Sequence, residues 1–269
     1  MKGIIILISL AFVIISCENN TNNSVEPLNN ETNTYAFDCK ITSFTESNVY
    51  EDMTIKVTNS YEYVSESLTL YATEGKIGRE REVISDDTVN VKIFNDDGST
   101  KYFIQYVDHG DRVVAKYDQM IDNELRNYSQ YIYYIENNKL KTWETYSWND
   151  VTKTYDLNLM TSVNFYYEGN NIVRQEYFNG LTVEFFDFTE HYNPMYTTSY
   201  SLFNHKLSTF SLNMHRRAEV RGGSNDLYYN LEVNEIQGNF PRVTTVRVYK
   251  VSDSTLFRET TTTYNFDCD

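Results

Sequence analysis

The chain has 269 residues and a formal net charge of −15, and it is 15% aromatic with only 10 glycines and 3 prolines. This aromatic content excludes a disordered protein and the low glycine content excludes a fibrous one, so a globular protein is expected. Because an excess of acidic groups repels phosphate backbones, nucleic acid is excluded as a partner.

Residues 1–16 have the pattern of a bacterial lipoprotein signal peptide. Lys2 precedes an apolar run over residues 4–15 that is too short to span a bilayer as a helix. The run ends in Ile-Ile-Ser-Cys at residues 14–17, which resembles a lipobox. Cys17 is therefore the predicted lipid-attachment site and the first residue of the mature chain. The alternative is an ordinary secretory signal with an incidental cysteine.

Residues 17–34 are predicted to be a linker that carries the lipid at its first residue. The segment is rich in asparagine and almost free of apolar side chains, so it cannot bury enough surface to offset the entropy of ordering it. It would tether a domain to the cell envelope, at the outer membrane. Whether that domain faces the periplasm or the cell surface stays open.

Residues 35–269 are predicted to form a single β domain, because short apolar runs recur about every ten residues between turn signals. The runs before the centre of the chain are 35–44, 53–58, 61–72, 77–85, 89–94, 102–107, 112–117, 128–135 and 140–148, and those after it are 227–236, 243–251 and 256–266. No long helical pattern interrupts this series.

The centre of the chain, residues 161–188, holds three further aromatic runs. Apolar and polar residues alternate in them, as in strands with one buried face. Gly169 and Gly180 lie in the breaks between the runs and accept the positive φ that tight hairpin turns need. The sequence thus predicts an all-β antiparallel meander of roughly 13 to 16 strands.

One segment near residues 200–225 departs from this pattern. Phe203, Leu207, Phe210 and Met214 fall at helical spacing. A short helix or an irregular crossing is predicted there, as an insertion before the final strands.

A loose repeat connects the strands, in which an aromatic residue is followed six or seven positions later by an aliphatic one across a turn. Examples are the segments 106–113, 134–140 and 166–172. Together with residues 165–196 and the closing YNFDC at 264–268, this repeat resembles a family of secreted Bacteroidetes lipoproteins of unknown function. The resemblance implies a porin-like β fold and an envelope location.

With Cys17 assigned to the lipid, Cys39 and Cys268 are the two cysteines left. Paired thiols of an exported chain are normally oxidised, so a disulfide between them is predicted if the first and last strands are neighbours. Such a bridge requires a sheet that doubles back or forms a closed or partly closed barrel-like structure. The alternative is two separate thiols at opposite ends of an open sheet.

Candidate chemistry is sparse. The four histidines show no metal-binding spacing, and no nucleotide-binding or nucleophile motif occurs, so we expect no enzyme activity, no metal and no cofactor. Trp143, Tyr146 and Trp148 lie in one hairpin arm, and alternation predicts that Tyr146 and Trp148 share a face opposite to Trp143. They are either cross-strand packing residues or a flat aromatic platform for a sugar ring.

The expected function is therefore non-catalytic binding of a glycan or an envelope protein by a lipid-anchored monomer. The alternative is a carrier that encloses an apolar ligand or lipid in a curved sheet. The two differ in where the aromatic residues point, because a carrier needs an open apolar cavity and a surface binder needs aromatic residues on its outer face.

Overall fold

A computed structural model describes residues 39–50, 53–64, 67–73, 76–95, 97–194, 211–223 and 226–268. The predicted signal peptide, Cys17 and the whole of the predicted linker, residues 17–34, lie outside these residues. No helix within the described ranges is both long and apolar enough to cross a membrane.

The described residues form seventeen β-strands in one antiparallel sheet. The strands are β1 Cys39–Tyr50, β2 Met53–Val64, β3 Ser67–Thr73, β4 Lys76–Ser85, β5 Thr88–Phe94, β6 Thr100–Asp108, β7 Arg112–Ile121, β8 Glu124–Glu136, β9 Lys139–Asn149, β10 Thr154–Leu157, β11 Val163–Glu168, β12 Asn171–Tyr177, β13 Thr182–Tyr192, β14 Asn213–Arg221, β15 Leu227–Gln237, β16 Phe240–Lys250 and β17 Leu256–Cys268. This confirms the predicted all-β antiparallel meander.

The strand pairings run around the molecule in chain order. Each strand from β1 to β9 pairs with the next, β9 pairs with β11, and the series continues from β11 to β17, which pairs with β1. The short β10 lies beside the end of β9. The contact of β9 with β11 consists of only two residue pairs, Val163 with Trp143 and Asn164 with Thr142. The result is a barrel-like sheet that is only partly closed at this seam.

The main core lies on the inner face of this curved sheet. Alternate residues of neighbouring strands point inward, as Ile104 and Tyr106 do on β6 and Val113 and Ala115 do on β7. Phe165, at 2% exposure, continues the core on β11. Each buried side chain of this size stabilises the fold by about 1.5 to 3 kcal/mol.

The outer face of the sheet carries charged side chains. On β16, the Arg247 guanidinium donates to Glu259 of β17 at 2.6 Å and to Glu232 of β15 at 2.9 Å. Arg174 and Glu176 pair at 3.2 Å on β12. The period-two alternation thus separates an apolar inside from a charged outside.

The structure describes the predicted insertion near residues 200–225 only over residues 211–223. Residues 195–210 lie outside the described ranges, but residues 213–221 form β14 rather than the end of a helix. Met214 and Ala218 are fully buried there while Arg216 is exposed. Pairing with β13 and β15 satisfies the backbone of residues 213–221, so Met214 belongs to a strand of the sheet.

Candidate binding cavity

A cavity of about 1240 Å³ lies inside the curved sheet, between β7–β9 and β11–β15. Its wall is mainly aromatic and aliphatic, and it includes Tyr131, Trp143, Val163, Phe165, Ile172, Tyr177, Leu181, Val183, Phe185, Val220 and Tyr229. Ligand pockets of proteins usually measure about 300–1,000 Å³ and have mostly apolar walls. This cavity is therefore large enough for a ligand bigger than a typical small molecule.

The aromatic part of the wall is held by ring contacts across β7, β8 and β9. The Tyr131 ring centroid lies 5.9 Å from that of Trp143 and 4.5 Å from that of Tyr117. Tyr133 packs against Trp143 at 5.5 Å, and these two residues are direct neighbours in the register of β8 and β9. Such pairs fix the rings in place, so the wall is preformed.

Two polar atoms of β9 are buried in this wall without a hydrogen-bond partner. They are Nε1 of Trp143 and Oγ1 of Thr145, whose residue is only 5% exposed. Buried polar atoms in native proteins nearly always have a partner, which is another protein group, a water molecule or a ligand. Each of these two atoms has almost no accessible surface, so the packed side chains around it, and not the open cavity, cover it.

The charged residues of the cavity wall lie at one end. Arg126, Asp150 and Lys153 are all exposed, and Lys153 pairs with Asp150 at 3.2 Å. At the other end, burial holds the pKa of His215 well below its usual value, and this ring packs edge-on against Phe185 at 4.3 Å. His215 is thus neutral at neutral pH, and the interior carries no formal charge among the described residues.

The charged end is also the end at which the cavity meets the solvent. Met160, which lines the cavity there, is 64% exposed. Each of three further apolar residues lies next in sequence to a lining residue and is exposed: Leu125 at 51%, Val151 at 91% and Leu159 at 51%. This end is the mouth of the cavity, with both apolar and charged side chains around it.

The three predicted aromatic residues of β9 have different surroundings in the structure. Trp143 and Trp148 both line the cavity, whereas Tyr146 is not among its lining residues. The register of β9 with β10 is regular from Tyr146 to Trp148, as the predicted alternation requires, so the shared face of these two residues stays a prediction. Trp148 lies next to the end of β9, where its Nε1 donates to Asp150 at 3.2 Å and its ring packs edge-on against Tyr155 of β10 at 5.0 Å.

Tyr146 takes part in a small polar cluster instead. Its hydroxyl donates to the Glu144 carboxylate at 2.7 Å, and this hydrogen bond raises the pKa of Tyr146 to about 12. Tyr134, which is 37% exposed, donates to the same carboxylate at 3.1 Å. The acceptor thus fixes two aromatic side chains on β8 and β9.

The backbone of β1 and β17 brings the two predicted disulfide cysteines next to each other. Cys39 of β1 and Cys268 of β17 are direct partners in the strand register. Their side chains lie outside the described part of the structure, so the disulfide stays a prediction. Cys17 lies outside the described residues altogether.

Sequence reasoning did not single out Thr145, which is buried in the cavity wall two residues after Trp143. Its signal was its position two residues after a tryptophan on the same face of a strand. Among the described residues, no group of three or more histidine, cysteine, aspartate or glutamate side chains is arranged to hold a metal ion.

No protein-family model matches the chain, and no curated protein matches it either. Three solved structures show a weak likeness. A porin-like protein from Bacteroides uniformis is 11% identical with a TM-score of 0.42, over 84% of this chain and 98% of that chain. A porin-like protein from Bacteroides vulgatus is 11% identical with a TM-score of 0.35, over 85% and 99%. A protein of unknown function from Bacteroides fragilis is 12% identical with a TM-score of 0.28, over 45% and 91%.

These neighbours are of the kind that the sequence resemblance named. With TM-scores below 0.5, however, none of them defines the function of this chain. Family membership and lipid attachment stay predictions.

Proposed function

We propose that this protein is a non-catalytic binding protein of the cell envelope that holds an apolar or amphipathic ligand inside its curved sheet. The observation that supports this proposal is the cavity of about 1240 Å³ with its aromatic wall. Both tryptophans of the chain, Trp143 and Trp148, line it. A carrier needs an open apolar interior, so this placement favours the carrier over a binder of surface ligands.

Binding of a glycan or an envelope protein at the outer face is the second candidate. Tyr134 and Tyr146 favour it, because Glu144 holds both rings on the outer side of β8 and β9. Aromatic side chains fixed in this way are suited to stacking against a sugar ring. A platform that includes Trp148 is not supported, since that ring packs on Tyr155.

A brominated alkane tests the cavity directly, because bromine quenches tryptophan fluorescence only on contact. We expect 1-bromododecane to quench most of the emission of the wild-type protein, since both tryptophans line the cavity. The matched control carries Trp143→Phe, Trp148→Phe and Tyr134→Trp, which moves the reporter to the outer face. Absence of quenching in the wild type, or equal quenching in both proteins, would contradict an interior site.

We also propose that Cys17 carries a diacylglycerol lipid that anchors the protein to the outer membrane. The lipobox pattern at residues 14–17 supports this. In cells grown with a fatty-acid analogue, we expect the wild type to be labelled and Cys17→Ala to remain unlabelled. Equal labelling of both proteins would remove the basis for the anchor.

A disulfide between Cys39 and Cys268 is part of the same proposal. Directly opposed residues of antiparallel strands have Cα atoms about 4.5 to 5.5 Å apart, and a disulfide accepts separations of about 4.4 to 6.8 Å. The backbone register of β1 and β17 supports the bridge, because it makes these two cysteines partners. The bridge would join the first strand to the last.

A further inference from the structure

Two turns at the mouth of the cavity hold apolar side chains out into the solvent. Val151, the most exposed of them, lies in the turn between β9 and β10, and its amide donates to Oδ1 of Asn149 at 3.0 Å. Met160 lies in the next loop, and its amide donates to Oδ1 of Asn158 at 3.0 Å. Because these hydrogen bonds fix the backbone of both turns, the outward position of the two side chains is a defined feature of the fold.

The strand order brings a second group of exposed apolar residues to the same end of the sheet. Neighbouring strands are antiparallel, so β1, β9 and β16 all end at the level of the mouth, and β17 begins there. Val49 near the end of β1, Val251 after β16, and Leu256 and Phe257 at the start of β17 are all exposed. The amide of Val251 donates to the carbonyl of Asp226 at 3.0 Å, which fastens this turn to the turn between β14 and β15.

We call the two groups together the apolar rim. Its members are Leu125, Val151, Leu159 and Met160 on one side and Val49, Val251, Leu256 and Phe257 on the other. The polar turns at residues 95–99 and 222–226 lie between the two groups. A stable protein interface uses about 20–30 residues on each side in one closely fitting patch. A fluid lipid surface, in contrast, accepts several separate projecting side chains at once.

The charges around the mouth indicate how such a contact would form. Arg126 lies 3.7 Å from Glu124, and Lys153 lies 3.2 Å from Asp150, so both cations of the cavity wall have an acidic partner. The chain as a whole has a net charge of −15. Attraction to anionic headgroups is therefore weak, and the burial of apolar side chains is the driving force.

The predicted lipid anchor allows the mouth to face a membrane. β1 begins at Cys39, at the end of the sheet opposite to the mouth, and its length is about 40 Å. The segment 17–38 could span at most about 70 Å if it were fully extended. A lipid at Cys17 would thus leave enough chain for the opposite end of the domain to contact the same bilayer.

We propose that the apolar rim inserts into the surface of a lipid bilayer, with the mouth of the cavity opening onto it. The contact is noncovalent and involves only the side chains of the rim. A ligand could then pass between the bilayer and the cavity without crossing water. This last consequence rests on the proposed function, whereas the insertion of the rim needs no ligand.

Three exposed valines provide a matched test of which end contacts lipid. Val151 and Val251 belong to the rim, and Val83, at 56% exposure, lies near the end of β4 on the opposite side. A photoreactive diazirine amino acid replaces one of them at a time in the full-length mature protein, which is reconstituted in phosphatidylcholine vesicles. Burial of one such side chain corresponds to about a tenfold preference or more. We therefore expect at least about tenfold more lipid adduct, measured by mass spectrometry, at residues 151 and 251 than at residue 83.

A charged substitution on one side of the rim should weaken the contact on the other side. With the diazirine at residue 251, Val151→Asp should lower the yield of lipid adduct about tenfold or more, because a carboxylate is costly to move into an apolar environment. Val83→Asp is the matched control, since it places the same charge at the opposite end, and it should leave the yield unchanged.

Several outcomes would overturn the proposal. Equal adduct yields at the three valines, or the highest yield at Val83, would show that this end does not insert. In cells, adducts at residue 151 that are mainly with a protein would replace the bilayer by a protein partner. Yields that require phosphatidylglycerol and vanish at high salt would refute insertion driven by apolar burial. If the rim forms lipid adducts but the cavity binds no brominated alkane, the membrane contact is supported and the carrier function fails.

Discussion

Gly222 shows at the level of one residue how tightly the turns of this sheet are packed. It follows β14 with a φ of +86°, and a Cβ atom at this position would lie 2.6 Å from the carbonyl oxygen of Gly180. Gly180 is in the turn between β12 and β13, beside the mouth of the cavity. A side chain at residue 222 would therefore displace the backbone of a neighbouring turn as well as strain its own.

Replacing Gly222 by alanine should reduce the free energy of unfolding by about 2 to 4 kcal/mol, measured by urea denaturation. Gly98 provides the matched control, because its φ of +83° is almost the same and nothing lies within 4 Å of its Cβ position. Gly98→Ala should reduce the free energy of unfolding by only about 1 to 2 kcal/mol, the cost of a positive φ for a residue with a Cβ atom. Equal losses in the two variants would show that the contact with Gly180 is relieved at no cost.

At the level of strands, the sequence predicted most elements because alternation and turn residues agree. The turns at Gly169 and Gly180 have the positive φ values that the sequence required. The two strands that were missed lack aromatic alternation. β10 has four residues and depends on pairing with β9. β14 is formed by a charged segment, and its buried Met214 packs in a cluster with residues that are distant in sequence, Leu231 of β15 and Val248 of β16.

The site was less predictable than the strands. Composition shows that aromatic residues are in surplus, but a period of two cannot tell which face of a strand becomes the inside of a curved sheet. β9 keeps a regular register to its end, so alternation alone could not show that Trp148, at that end, also lines the cavity with Trp143. The sequence could not show that Trp148 turns toward Asp150 and Tyr155, because β10 itself was not predicted.

For the whole molecule, the pairing of the first and last strands decides how the sheet is held together. The β1–β17 ladder extends from Cys39 opposite Cys268 to Val49 opposite Glu259, while β9 and β11 share only two residue pairs. Paired strands hide the backbone groups that an open edge would expose. The β9–β11 seam is therefore the weaker junction of the two, and it lies next to Trp143 in the cavity wall.

A disulfide between Cys39 and Cys268 would make the strong junction permanent, because it would keep β1 and β17 together even when the sheet opens. Non-reducing mass spectrometry of the purified mature domain should find no alkylatable thiol in the denatured protein. Reduction should then lower the free energy of unfolding by roughly 2 to 5 kcal/mol, since the bridge closes a very long loop in the unfolded chain.

The double variant Cys39→Ser, Cys268→Ser is the control for this effect, and its stability should not respond to reductant. Two free thiols in the unreduced wild type would refute the bridge. In that case only noncovalent contacts would join β1 to β17, among them the backbone ladder and the hydrogen bond of Thr260 to Asn48, and the β9–β11 seam would still be the shorter of the two junctions.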